Sequence, residues 1–125
     1  MRFLILCFAL TFSLFAAGLA GVYKGSYSGG ASGDISVILK QGDDGAWKSE
    51  VTFTYDGQDI KTKVTAVSVE GAKVKIVYEF DLAGNALEST LIGELKGSTL
   101  AGEYHTKSTG DGSAVDEGTW KGTAQ

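Results

Sequence analysis

Across residues 46–56 apolar and polar side chains alternate one for one. Trp47, Val51, Phe53 and Tyr55 fall on one face, and Lys48, Glu50, Thr52 and Thr54 on the other. A period of two is that of a half-buried β-strand, whereas a helix repeats its apolar positions every three or four residues. Residues 72–81 repeat the pattern, with Val74, Ile76, Tyr78 and Phe80 opposed by Lys73, Lys75 and Glu79. Weaker copies at 22–28, 34–40, 58–69, 87–95, 99–107 and 114–123 bring the predicted strands to eight. Within 58–69 the phase slips. Ile60, Thr62 and Val64 share one parity and Val67 and Val69 the other, so a β-bulge near Thr65-Ala66 is expected to restore burial.

Glycine and short polar residues separate these strands. Asp56-Gly57 is a two-residue hairpin signal. Glu70-Gly71 and Gly97-Ser98 read as further tight turns, and 41–45, 82–85 and 108–112 as longer ones, with a helical turn allowed only near 82–87. Short connections make consecutive strands antiparallel neighbours, which predicts an up-and-down meander. A meander of eight strands has two edges to protect, by closing into a barrel or by folding over as a β-sandwich. Closure is favoured by glycines set beside aromatics near both ends of the chain: Gly21-Val22-Tyr23-Lys24-Gly25, Gly102-Glu103-Tyr104 and Gly118-Thr119-Trp120. An inward glycine lets a coiled strand bend while a neighbouring ring covers the gap. First and last strands then touch, placing Tyr23, Tyr27 and Trp120 together. Lys48, Glu50, Lys73, Lys75, Glu79, Glu88 and Glu94 would face outward, where a lipid-facing band could not carry them, so the predicted barrel is a soluble all-β one.

The first twenty residues do not follow this pattern. Arg2 precedes an apolar run from Phe3 to Ala17, and Gly18-Leu19-Ala20 supplies small residues for cleavage. This is the layout of a secretory signal peptide, with the cut placed after Ala20 and an alternative after Gly18. Residues 21–125 then form a single barrel domain, secreted or periplasmic, with no membrane insertion after cleavage. Cys7 lies too early in the run for a lipoprotein site. Removing the leader takes away the only Arg, Cys and Met of a chain that has 125 residues and no Pro. Ten Lys then face fifteen Asp and Glu, and the net charge moves from −4 to −5. An acidic domain without Arg is a poor partner for nucleic acid. Without cysteine in an exported domain, stability must come from a packed core.

In strand count, meander order, export and Gly-x-aromatic motifs the chain resembles the calycin group of small secreted barrels, the lipocalin and avidin kind. Gly21-Val22-Tyr23 is similar to the first-strand Gly-x-Trp of lipocalins, and Gly118-Thr119-Trp120 to the Gly-Thr-Trp that opens avidins. The resemblance implies the fold. It carries over no ligand, because the Gly-Thr-Trp stands at the other end of the chain and the lipocalin disulfide and terminal helix are missing.

Candidate chemistry is sparse. His105, the only histidine, follows inward Tyr104 and so points to solvent, which leaves any serine nucleophile without a base. One His and no mature Cys make a His/Cys metal site impossible. Asp43-Asp44, Asp56/Asp59 and Asp111/Asp116/Glu117 lack the spacing of an EF-hand loop and read as turn-forming or solubilising carboxylates. Neither a catalytic residue nor a cofactor is assigned, and a small hydrolase ranks third among the functions considered. The interior is the better candidate. Tyr23, Tyr27, Trp47, Tyr55, Tyr78, Tyr104 and Trp120 could stack on a small apolar or aromatic molecule, with Ser89 and Thr62 orienting it. The same aromatics could equally fill the core, leaving a protein-interaction module, an inhibitor or adaptor, that acts through its loops. A cavity of roughly 300 Å3 or more separates the two.

Overall fold

The computed structural model describes residues 18–125, so the predicted leader at 1–17 lies outside the described residues. Nine antiparallel strands make one curled sheet: β1 (Gly21–Gly29), β2 (Ser32–Gln41), β3 (Trp47–Tyr55), β4 (Gln58–Lys61), β5 (Lys63–Glu70), β6 (Lys73–Leu82), β7 (Asn85–Lys96), β8 (Thr99–Ser108) and β9 (Ala114–Ala124). Their order is β4-β3-β2-β1-β9-β8-β7-β6-β5, a meander whose first and last strands pair. Among the described residues no helix is long and apolar enough to cross a membrane.

The ninth strand arises because segment 58–69 divides at Thr62 into β4 and β5. β4 pairs only with β3, and β5 only with β6, so the two ends of the sheet are consecutive in the chain and one residue apart. At this corner the two edges of the curled sheet are joined by covalent continuity and not by a ladder. The Thr62 hydroxyl donates to the Val51 carbonyl at 2.7 Å, pinning the corner to β3. Beyond it the expected bulge is present, since Val64 pairs with Tyr78 and Ala66 with Val77, leaving Thr65 over.

The turns follow local chemistry. Asp56 (φ 52°) and Gly57 (φ 78°) form the predicted two-residue hairpin between Tyr55 and Gln58. The longer or helical connection expected after Leu82 is instead a second tight hairpin: Leu82 pairs directly with Asn85 across Ala83 (φ 52°) and Gly84 (φ 82°). Positive φ at both central positions matches the right-handed twist of the flanking strands, and in this case alanine accepts it.

Closure brings Tyr27 opposite Trp120 in the β1–β9 ladder. Three aromatics face a glycine across a strand pair: Tyr27 opposite Gly33, Tyr104 opposite Gly118, and Trp120 opposite Gly102. The Trp120 ring also spreads over the next strand, so that a Cβ on Gly93 would come within 2.7 Å of its Cζ2. At Gly33 and Gly93 a ring crowds the space a Cβ would take, while at Gly102 and Gly118 the backbone of the neighbouring strand fills it, so the strands coil closely against one another. Outside, Lys48, Glu50, Lys73, Lys75, Glu79 and Glu94 are exposed and Glu88 is half-buried, each pointing away from the core.

One end of the barrel is filled. Tyr23, Val37, Leu39, Val74, Ile76, Leu100 and Trp120 are buried there, with Leu19 inserted among the core residues. The Tyr23 hydroxyl donates to the Leu19 carbonyl at 2.7 Å, and Trp120 Nε1 to the Ile92 carbonyl at 3.1 Å, so both rings are satisfied within the protein. Trp120→Ala should cost about 3–5 kcal/mol in chemical denaturation, because it empties the centre of this packing; a loss below about 1 kcal/mol would place Trp120 outside the core.

Candidate functional site

The other end of the barrel is hollow. A cavity of about 360 Å3 opens among the turns β1–β2, β3–β4, β6–β7 and β8–β9. Its walls carry Ile35, Phe53, Phe80, Leu87 and Leu91 together with Tyr27, Tyr78 and Tyr104. Alternation explains this lining, since these side chains share the inward parity of their strands. Their rings lock one another. Tyr27 meets both Phe53 and Tyr104 edge to face at 5.7 Å, Phe53 meets Phe80 at 5.0 Å, and Tyr78 lies 5.9 Å from Phe80. Such contacts add about 0.5–1.5 kcal/mol each beyond burial, and they hold the wall rigid.

Of the nine residues the sequence singled out, the structure brings Tyr27, Tyr55, Tyr78, Tyr104 and Ser89 to the cavity. Tyr55 is not an interior ring as expected; it is 40% exposed and stands on the rim, because it is the last residue before the hairpin. The other four lie elsewhere. Tyr23 and Trp120 are consumed in the filled end, Trp47 is half-buried at the far end of β3, and Thr62 is committed to its corner.

Two polar residues were missed. Thr106 has the parity of Tyr104, a signal that was available, and its hydroxyl is hydrogen-bonded to that of Ser89. Asp116 was read as a turn or solubilising carboxylate, although it has the parity of Gly118 and Trp120. A register shift between β8 and β9 pairs Thr106 with Asp116 and Lys107 with Ala114, leaving Val115 over; Asp116 lines the cavity mouth while Val115 stays exposed on the rim.

Asp116 is a latch. One carboxylate oxygen accepts from Gly30 N at 2.8 Å and from Glu117 N at 2.9 Å; the other accepts from the Tyr104 hydroxyl at 2.8 Å and from Ala31 N at 3.3 Å. It ties the β1–β2 turn to β9 and uses its lone pairs in doing so. Two of the other loop acids act as turn formers: Asp44 accepts from Ala46 N, and Asp111 from both the amide and the hydroxyl of Ser113. His105 lies outside the barrel, its ring 3.4 Å from Glu117 and 4.0 Å from Glu103.

Comparison of the chain with models of known families, with curated proteins and with solved structures finds no match.

Burial pushes the Tyr78 phenol up to about 12, with Ser89 opposing the rise. Burial also raises Tyr104, which in addition donates to the Asp116 carboxylate and feels its charge; Tyr23 and Tyr27 are raised chiefly by burial as well. A phenol that holds its proton longer in the folded state contributes stability that is complete below the unfolded value near 10 and is lost as pH rises through the folded value. Stability should therefore fall between pH ~10 and ~12, by on the order of 2–3 kcal/mol from Tyr78 alone. Denaturation series across that window, paired with tyrosinate absorbance, check this; Tyr78→Phe should flatten part of the slope.

Proposed function

We propose that this chain is an exported, non-enzymatic binding protein that holds a small apolar or aromatic molecule in the open half of a calycin-like barrel. The unequal division of the interior carries the reading. At one end aromatics and aliphatics pack solidly, while at the other a cavity of about 360 Å3 is lined mainly by apolar and aromatic side chains. Pockets of roughly 300–1,000 Å3 with a few placed polar groups are the usual form of a small-molecule site. The wall rings already pack against one another without a ligand, an arrangement that lowers the ordering cost of binding.

A second reading rests on the rim. Tyr55 and Val115, 40% and 52% exposed, are two large hydrophobics beside the mouth. They suit the entry of an apolar ligand, and they would equally serve a protein partner held by the loops. Substitution inside the cavity separates the two readings. The uncharged fluorescent probe N-phenylnaphthylamine should bind with an emission rise. Leu91→Trp, which fills the space from a wall residue only 1% exposed, should weaken that binding at least about tenfold without altering rim contacts. No saturable binding to the unsubstituted protein would remove the ligand reading.

Export is part of the proposal, and it bears on the filled end. Cleavage after Ala20 removes Leu19 and frees the Tyr23 hydroxyl of its acceptor, whereas cleavage after Gly18 keeps both. The intact mass of protein recovered from outside the cytoplasm should correspond to a chain that begins at Gly21; a mass that includes residues 1–17 would refute export with cleavage.

A further inference from the structure

The cavity wall is not uniformly apolar, and its polar groups fall in one row. Tyr78 on β6 pairs in register with Ser89 on β7, Ser89 with Thr106 on β8, and Thr106 with Asp116 on β9. All four side chains line the cavity. The rows to either side are apolar where they face the same space, with Phe80 opposite Leu87 on one and Leu91 opposite Tyr104 on the other. Tyr78, Ser89 and Thr106 are 4%, 2% and 7% exposed, so this polar band is buried. Burying hydroxyls in an apolar wall is costly unless each finds a partner.

No hydroxyl of the band is a buried orphan, yet its donors and acceptors are not all used. The Tyr27 and Tyr104 protons are committed, to the Thr54 carbonyl and to Asp116. Asp116 is saturated by four donors. Ser89 and Thr106 share one hydrogen bond and Ser89 also reaches the Tyr78 phenol, so two contacts link three hydroxyls and one of their three protons is left over. The phenol of Tyr78 stands next in the row. The stretch from Tyr78 to Thr106 can therefore both donate to and accept from a guest. Charge narrows the choice of guest further, because the lining includes no Lys, Arg or His and does include a carboxylate. An anion would find no counter-charge there and would be repelled by Asp116.

We infer that the cavity selects an uncharged, mainly apolar ring compound that carries one hydroxyl or carbonyl group, seated against Tyr78, Ser89 and Thr106, and that it rejects carboxylates of the same size. This rests on the ligand-binding reading above and specifies its chemistry. The guest's body occupies the space among Phe53, Phe80, Leu87 and Leu91, and its single polar group completes the hydrogen bonding that the row leaves open.

Three probes of nearly equal size test the inference: naphthol, methylnaphthalene and naphthoate, titrated by calorimetry at neutral pH. Naphthol should bind about tenfold more tightly than methylnaphthalene, the worth of one well-made buried hydrogen bond, and naphthoate more weakly than either. The Ser89→Ala, Thr106→Val double variant should bring naphthol down to the level of methylnaphthalene while leaving methylnaphthalene unchanged. Should that variant fail to fold, the preference of the unsubstituted protein, together with Tyr78→Phe, decides the matter. Methylnaphthalene binding as well as naphthol, or naphthoate binding as tightly as naphthol, would overturn the selectivity while leaving the ligand-binding reading standing. Binding of none of the three would overturn both.

Discussion

Pairing of β1 with β9 brings the two ends of the described chain side by side, and the enclosed interior depends on it. The ladder runs from Tyr23 opposite Ala124 to Gly29 opposite Gly118. Without it the strands would fall into two separate sheets, β1 to β4 and β5 to β9, joined only at the Thr62 corner, and the inward tyrosines on one side and Trp120 on the other would face water. What makes the ladder tolerable sterically is the set of glycines within and beside it. Gly25 opposite Gly122 and Gly29 opposite Gly118 let the strands come close where the coil is tightest, and aromatic rings cover what the missing side chains expose. The absence of proline fits the same constraint, because a strand paired on both sides has no place for a residue that cannot donate.

From this closure follows an interior with two unlike halves. Near Tyr23 and Trp120 the hydroxyl and the indole N–H find backbone carbonyls, and packing is complete. Near the hairpin turns the strands end in small or rim-facing residues, Gly30, Ala31 and Tyr55, and no large side chain crosses the axis. The Asp116 latch keeps that mouth in shape by fastening a glycine-rich turn to the final strand. Shape and polarity therefore have separate sources. Aromatic packing sets the walls, and a single row of hydroxyls supplies what polarity they have.

Much of the fold was legible because one face of nearly every strand is buried and the other wet, which imprints a period of two on the sequence. The bulge at Thr65 could be read from the parity break between Val64 and Val67, since an extra residue is the only way to return valines to the inside. The break at Thr62 could not. A threonine keeps the alternation intact, and only the choice of different partners by β4 and β5 reveals the corner. The site was half legible for a related reason. Parity tells whether a ring such as Trp120 or Tyr78 points inward, but not at which level of the axis it sits, and the level decides whether it packs the filled end or lines the hollow one. Asp116 reads as a turn former in the sequence because a carboxylate near a glycine-rich loop has that look, and only the backbone amides that surround it in the fold make it a latch.

The position of β9 in the chain also sets an order in time. Strands β1 to β4 and β5 to β9 can each zip together through short turns as hairpins, each closing a small loop, whereas the β1–β9 ladder joins residues about a hundred apart in the chain. Any process that presents the chain from its N-terminus onward therefore delivers the closing element last, and until then the inward rings have no sealed interior to enter. The sealed interior is therefore the last feature such a polypeptide can acquire, because it needs the first strand and the final one at the same time.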